Sequence, residues 1–268
     1  MSRQLRDIQL LRHATLDLVR GQRIIRHPIY WWPWWRTHLA ICAIFKDEAR
    51  YLGEWIEFHQ AQGVQRFYLY ENNSTDEWEA ALEPYARVVE VHHWPHQPGQ
   101  LSAYSDCLRQ HRWDTRWIAF LDLDEFLYSP TGSTLPEVLR GFPRVPGVVA
   151  NWRIYGTNGH DTAPEGSVVE SYPVPEPEGH PWNRNVKAIV FPAMTTSQVI
   201  IPHNFLQYGV AVGEDGRPCS GPFRDPSWDL LRINHYATRS RAEQDAKMLR
   251  PRADTGEVRG AAWRDSVP

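Results

Sequence analysis

Trp117-Ile118-Ala119-Phe120-Leu121 runs directly into Asp122-Leu123-Asp124-Glu125-Phe126, and the reading of that junction decides the fold. The five apolar residues, rich in β-formers, predict a fully buried strand. Three carboxylates then fall where the strand should end. Unpaired carboxylates repel one another and are costly to desolvate, so a buried strand gains nothing from them unless something positive offsets the cost. Asp122 and Asp124 alternate with Leu123, so an extended backbone sends both side chains to one face and Glu125 to the other. Two hard oxygen ligands on one face suit Mg²⁺ or Mn²⁺, which use one or two carboxylates together with substrate phosphates. Open α/β sheets bind ligands just beyond the carboxyl ends of their strands. The stretch therefore predicts a metal–diphosphate site; the plainer alternative is an acidic turn closing a strand.

On the N-terminal side of this junction, strand and helix patterns alternate. Residues 39–45 read as a buried strand. Leu52, Trp55, Ile56 and His59 recur at helical spacing, with Gly63 as a stop. Residues 66–70 form a second strand, and 72–76 a polar turn able to cap the next helix. A helix over 77–85, a strand over 88–91 and a helix over 101–111 lead to the acidic strand. This alternation predicts an α/β fold with a mainly parallel central sheet flanked by helices. Past residue 130, strands are expected at 148–152, 186–191 and 230–236. The proline-rich stretch 162–185 between them reads as a mobile or acceptor-facing loop. A short helix over 240–250 closes the domain. The predicted organisation is an N-terminal extension (1–38), one domain (39–250) and a loosely ordered tail (251–268).

The chain has 268 residues and a net charge of −3, which gives no argument for nucleic-acid binding. Cys42, Cys107 and Cys219 form an odd, widely spaced set without a CxxC pair. That argues against a disulfide scaffold and structural zinc, and fits a reducing, cytoplasmic compartment. No secretory h-region occurs in residues 1–30, and no stretch reaches the roughly 18 apolar residues of a membrane span. The extension carries seven arginines against Asp7 and Asp17 and ends in Tyr30-Trp31-Trp32-Pro33-Trp34-Trp35. Such a segment can meet an anionic membrane surface or a polysaccharide, or simply pack its tryptophans on the domain.

Five segments stand in a distinctive order: Lys46-Asp47-Glu48 with Tyr51-Leu52-Gly53-Glu54-Trp55, then 70–76, then Gln100 with Tyr104 and Cys107, then 122–126, and last Ile233-Asn234-His235-Tyr236. Together they resemble the family-92 glycosyltransferases and related family-2-like enzymes over roughly residues 39–245. The resemblance implies a GT-A fold, a nucleotide-sugar donor and a divalent cation, Mn²⁺ or Mg²⁺, on a DxD motif. It implies Asp122 and Asp124 as metal ligands, with Asp124 the stronger candidate, and His235 as the third. A neutral imidazole suits Mn²⁺. Lys46, Glu48, Asn73, Asp76 and Gln100 are candidates for the nucleotide, and Lys187 and Arg239 for the diphosphate. Neither GxGxxG nor GxxxxGK[ST] occurs, so phosphates must rely on metal and side chains.

An inverting transfer needs a base near the acceptor hydroxyl; Asp161 and Glu165 are the candidates, with Trp152, Tyr155 and Trp182 as sugar-stacking surfaces. The expectation is a metal-dependent transferase moving a hexose, in the family galactose, from a UDP-sugar to a glycan or glycolipid hydroxyl, with inversion. The extension would give peripheral contact with the inner face of a membrane. Two rivals are a degenerate GT-A domain that binds glycans or scaffolds a partner, and a metal-dependent nucleotidyltransferase.

Overall fold

The computed structural model describes residues 35–258. Ten strands form one curled sheet: β1 (Thr37–Phe45), β2 (Arg66–Glu71), β3 (Val89–His93), β4 (Thr115–Phe120), β5 (Glu125–Tyr128), β6 (Gly147–Ile154), β7 (Val186–Val190), β8 (Ala211–Gly213), β9 (Pro218–Cys219) and β10 (Arg232–His235). The main path is β3-β2-β1-β4-β7-β6-β10-β5, with β8 and β9 attached beside β6. Strands β3, β2, β1 and β4 run parallel, while β7 lies antiparallel to both β4 and β6. The helices are α1 (Ala49–Ala61), α2 (Trp78–Leu82), α3 (Gln100–Gln110), α4 (Leu135–Leu139), α5 (Val168–Ser171) and α6 (Arg241–Leu249). Among the described residues, no helix is long and apolar enough to cross a membrane.

Strand β1 shows why the first half is a two-sided sheet. Its side chains alternate between faces. Leu39, Ile41, Ala43 and Phe45 enter one core with Leu52, Trp55 and Ile56 of α1. Ala40, Cys42 and Ile44 enter a second core with Ala103, Tyr104, Cys107 and Leu108 of α3. A strand covered on both faces can be apolar at nearly every position, which is how 39–45 reads. The expected helix over 77–85 is cut short: the α-helical turns end at Leu82 and continue as a 3₁₀ turn, Glu83–Tyr85. Pro84 has no amide hydrogen, so it cannot carry on the α-helical ladder.

The acidic junction departs from the expected extended strand. β4 stops at Phe120, 121–124 form a connection ending in a turn, and Glu125 opens β5, which pairs with β10 at the far end of the sheet path. Asp122 and Asp124 therefore do not share one face of a strand. The turn is closed by Glu125 N–H donating to Asp122 O (3.1 Å) and by Asp122 N–H donating to Glu125 Oε2 (3.0 Å).

Two other segments are better anchored than their composition implies. Within 162–185, the α5 amides of Val168 and Val169 donate to the Glu54 carboxylate (2.7 and 3.1 Å). Asn183, fully buried, accepts from Ile154 N–H (2.9 Å). Beyond Pro251, the Ala253 carbonyl accepts the amides of Gly99 and Gln100, each at 2.9 Å, so 251–258 pack back on the domain instead of forming a loose tail. Of the extension, Trp35 stacks edge-on against Phe191 (centroids 5.3 Å apart); the arginines and tryptophans before it lie outside the described residues.

His59 on α1 is fully buried and spliced into the backbone: Nδ1 donates to Trp55 O (2.8 Å) and Nε2 accepts from Leu127 N–H (3.1 Å). Burial pushes its pKa from 6.5 down to about 3, against the pull of the Trp55 carbonyl. The unfolded chain thus binds a proton below pH 6.5 that the folded chain refuses. Stability is complete above pH 6.5 and falls by about 1.4 kcal/mol per unit as pH drops towards 3. Urea unfolding at pH 7, 6, 5 and 4 should show this slope, and His59→Gln, though less stable at pH 7, should flatten it. Parallel curves for the two proteins would remove His59 as the cause.

Candidate active site

The connections after β1 and β4, the end of β10 and the helix α6 enclose a cleft of about 710 Å³. Its floor is acidic. Asp122 is held from two sides: Oδ1 accepts from Gln100 Nε2 (2.7 Å) and Oδ2 from Lys187 Nζ (2.8 Å). Lys187 is 1% exposed and also reaches Glu125 Oε2 at 3.4 Å. Burial opposes charge on all three of these groups. The Lys187 ammonium outweighs it at Asp122, whose pKa stays below the usual carboxylate range. Asp122 and Glu125 in turn outweigh it at Lys187, whose pKa is raised. Glu125, more deeply buried, is pushed well above its ordinary value in spite of Lys187.

Asp124 faces the other way. Burial would raise its pKa, but Lys247, His235 and Arg239 outweigh that and hold it well below the ordinary value. Lys247 Nζ, on α6, donates to Asp124 Oδ2 and to Ala237 O, the latter at 2.9 Å. Asp124 Oδ1 lies 3.4 Å from His235 Nε2 without a directed hydrogen bond, and both Asp124 Oδ1 and His235 Nδ1 are buried without hydrogen-bond partners. Donor atoms bonded to one divalent ion at about 2.1 Å sit roughly 3 Å apart. The Asp124–His235 pair therefore fits a small divalent cation, and its unpartnered oxygen is the one that would bind it. Asp122 has both oxygens engaged and fits an outer role, through water.

Around this floor five cations, Lys46, Arg239, Lys247, Arg250 and Arg252, line the cleft, and four of them pair with carboxylates of the same lining: Arg239 with Glu48, Lys247 with Asp124, Arg250 with Asp47 and Arg252 with Asp254. Arg239 is pinned over the Tyr51 ring (3.6 Å to the centroid), with Nη1 on Glu48 (2.9 Å) and Nη2 on the Leu123 carbonyl (3.2 Å). Its φ of 51° is one of four positive values at non-glycine positions among the described residues. Such strain tends to persist where surrounding contacts over-determine the position. Trp152, Trp182, His203 and Phe223 form an aromatic wall of the same cleft.

Of the residues expected from sequence, Lys46, Glu48, Gln100, Asp122, Asp124 and His235 line this one cleft. Asn73 and Asp76 do not. Asp76 Oδ2 instead accepts Ala49 N–H at the start of α1 (2.7 Å), and Asn73 Nδ2 reaches Pro95 O (3.4 Å). Lys187 lies beneath Asp122 as its counter-charge and not on the cleft wall. Asp161 and Glu165 are exposed and outside the cleft, and Asp161 pairs with Arg241 on the surface (3.1 Å). The geometry thus withdraws the base role from both. Trp152 and Trp182 line the cleft as expected, whereas Tyr155 packs beneath Tyr236. The residues missed were Lys247, Arg250, Arg252 and His203. One signal was available: the chain has only three lysines, Lys46, Lys187 and Lys247, and all three sit in or directly under this site.

The comparisons with known proteins bear on the same region. A glycosyltransferase family 92 protein of Oryza sativa subsp. japonica is 30% identical over 208 residues, covering 74% of this chain and 33% of the relative. One of Ricinus communis is 29% identical over 210 residues, covering 74% and 35%. The chain thus spans about a third of the length of the curated relatives it matches. Among solved structures, glucosyl-3-phosphoglycerate synthase from Mycobacterium tuberculosis, in complex with Mn²⁺, UDP and glucosyl-3-phosphoglycerate, aligns with a TM-score of 0.39 and 13% identity over 72% of this chain and 74% of that one. The decisive match is to the family model of glycosyltransferase family 92, which covers residues 38–213; it takes in Lys46, Glu48, Gln100, Asp122 and Asp124 and stops before His235 and α6. The chain belongs to glycosyltransferase family 92.

Proposed function

We propose that the cleft transfers a sugar from a nucleotide-sugar donor to a hydroxyl acceptor. One observation carries this reading: an acidic–imidazole floor with an unpartnered Asp124 oxygen shares a single cleft with five cationic side chains. A nucleoside diphosphate leaving group builds negative charge as its glycosidic bond breaks, and fixed positive charge stabilises that change. A divalent cation bound at Asp124 and His235 would supply Lewis-acid neutralisation of the departing phosphate. Lys247 on α6 and Arg250 just beyond its C-terminal end meet the diphosphate, and Lys46 and Glu48 border the nucleotide end. Gln100 and Lys187 keep Asp122 ionised and oriented.

On the aromatic wall, Trp152 and Trp182 offer flat apolar faces for sugar rings. His203 replaces Asp161 and Glu165 as the group that receives the acceptor hydroxyl. Its Nδ1 donates to Val186 O (3.0 Å), which leaves Nε2 as an acceptor. Burial and the nearby Lys187 push its pKa to about 4, so the ring is neutral at physiological pH. The finer reading is Mn²⁺ or Mg²⁺ as the ion, UDP as the nucleotide, a hexose such as galactose, an inverting single displacement and a glycan or glycolipid acceptor. The basic segment before residue 35 would bring the domain to a membrane surface.

The Lys247–Asp124 ion pair supports a second reading. A cation already neutralising the metal-facing carboxylate is what a binding module without catalysis would keep. Turnover separates the two. The protein should release UDP from UDP-galactose or UDP-glucose when Mn²⁺ and a saccharide acceptor are supplied. GDP released from GDP-mannose instead would keep the chemistry and change the nucleotide. Pyrophosphate release would indicate nucleotidyl transfer, and no turnover of any donor would favour the binding module.

A further inference from the structure

Away from the cleft, the outer edge of the sheet carries a second group of ligand-type side chains. Glu90 and His92 lie on β3, the edge strand, and His111 is the residue that closes the C-terminal end of α3. One atom from each of the three lies within 4.8 Å of the others. His92 Nε2 is 3.2 Å and His111 Nε2 3.9 Å from Glu90 Oε1. Both Nε2 atoms are buried without a hydrogen-bond partner, and the His111 side chain is only 9% exposed. None of the three residues lines the cleft.

The two rings are held in place. His111 stacks flat on Tyr68 (centroids 3.6 Å apart, 7° between planes) and His92 on Tyr70 (4.8 Å, 18°). Asp114 Oδ1 lies 3.7 Å from His111 Nδ1, on the side from which a carboxylate orients a metal-bound imidazole. Burying two imidazole nitrogens without partners is costly unless something engages them.

We propose that Glu90, His92 and His111 form a binding site for a borderline divalent metal of the zinc class, separate from the catalytic cleft. Tetrahedral Zn²⁺ with bonds of about 2.0–2.1 Å holds its ligand atoms roughly 3.4 Å apart. The 3.2 and 3.9 Å separations from Glu90 already bracket that spacing. Glu90 is the exposed member and leaves a fourth position to water. Two imidazoles favour zinc-class ions over Mg²⁺ or Ca²⁺, which prefer oxygen. The metal would clip the edge strand β3 to the end of α3 across β2, reinforcing a strand that otherwise presents an open edge. The absence of CxxC pairs excludes a cysteine-based zinc site but has no bearing on this ligand set.

Untagged full-length protein titrated with Co²⁺ tests the site, because four-coordinate Co²⁺ absorbs strongly in the visible and six-coordinate Co²⁺ weakly. Asp124→Asn disables the cleft ligand pair and should still bind one Co²⁺ with the intense spectrum. Adding His92→Ala or Glu90→Gln in that background should abolish the spectrum, and Zn²⁺ should displace the Co²⁺ wherever it binds. His92 and Glu90 are the partly exposed members, so these variants test the ligands without opening the core at His111. Retention of the intense spectrum in both double variants, or its absence from Asp124→Asn alone, overturns the proposal. Because the cleft ligands are disabled throughout, the outcome does not depend on whether the cleft turns over any donor.

Discussion

Asp124→Asn is expected to reduce donor turnover by about 10³-fold or more, equivalent to about 4 kcal/mol of transition-state stabilisation. The expectation follows from the asymmetry of the two carboxylates. Asp122 spends both oxygens on Gln100 and Lys187, whereas Asp124 keeps Oδ1 unpartnered beside His235. Asn preserves the shape of the side chain but removes the charge that selects a divalent ion. It also releases Lys247 from its carboxylate partner, so binding of a free nucleoside diphosphate without metal should survive or tighten. The loss should therefore appear in kcat and in metal dependence, not in a general weakening of the cleft. Asp122→Asn should cost less, because it removes an outer contact. If the two substitutions were equivalent, or if Asp122→Asn were the more severe, the assignment of Asp124 as the direct ligand would be wrong.

Lys187→Met carries the largest expected effect on stability. The ammonium is buried to 1% exposure and lies 2.8 Å from Asp122 and 3.4 Å from Glu125. Removing one member of a buried ionic cluster leaves the others uncompensated, which typically costs about 3–5 kcal/mol. Glu125 can relieve part of this by taking a proton, since burial already pushes its pKa up. The unfolding free energy of Lys187→Met should therefore recover partly as pH is lowered from 8 to 6. Replacing Glu125 with Gln in the same chain should recover more. A loss below about 1 kcal/mol, the range of exposed ion pairs, would show that Lys187 is not the internal counter-charge described above.

The parts of this molecule legible in its sequence are those governed by local pattern. Strand β1, helix α1 and strand β4 declare themselves through apolar periodicity, because each is buried by neighbours close in the sheet. The acidic motif was visible as a site for the same reason: its carboxylates are out of place after a buried strand. What pattern could not supply was the turn at 121–124, which depends on Glu125 accepting the Asp122 amide and on β5 finding β10 across the sheet. Lys187 reads in the sequence as a diphosphate contact and becomes the counter-charge of Asp122 only when β7 is inserted between β4 and β6. Lys247 belongs to a helix that begins with a capping box at Ser240 and Glu243, so its existence was predictable. Its docking over Asp124, more than a hundred residues away in the chain, was not. Asp161 and Glu165 lie exposed outside the cleft, Asp161 paired with Arg241, which a composition-based reading of their loop does not show.

The central claim is that a divalent cation and a nucleoside diphosphate occupy the cleft together through Asp124. The most direct test is the melting temperature of the wild-type chain and Asp124→Asn with UDP, GDP and AMP, each with and without Mn²⁺. A ligand that binds only the folded state stabilises it by RT ln(1 + [L]/Kd), about 2.7 kcal/mol at a hundredfold excess over Kd. The account predicts a rise with UDP that Mn²⁺ enlarges in the wild type and no longer enlarges in Asp124→Asn. A metal-independent rise of equal size in both proteins, or no rise with any nucleotide, would contradict it.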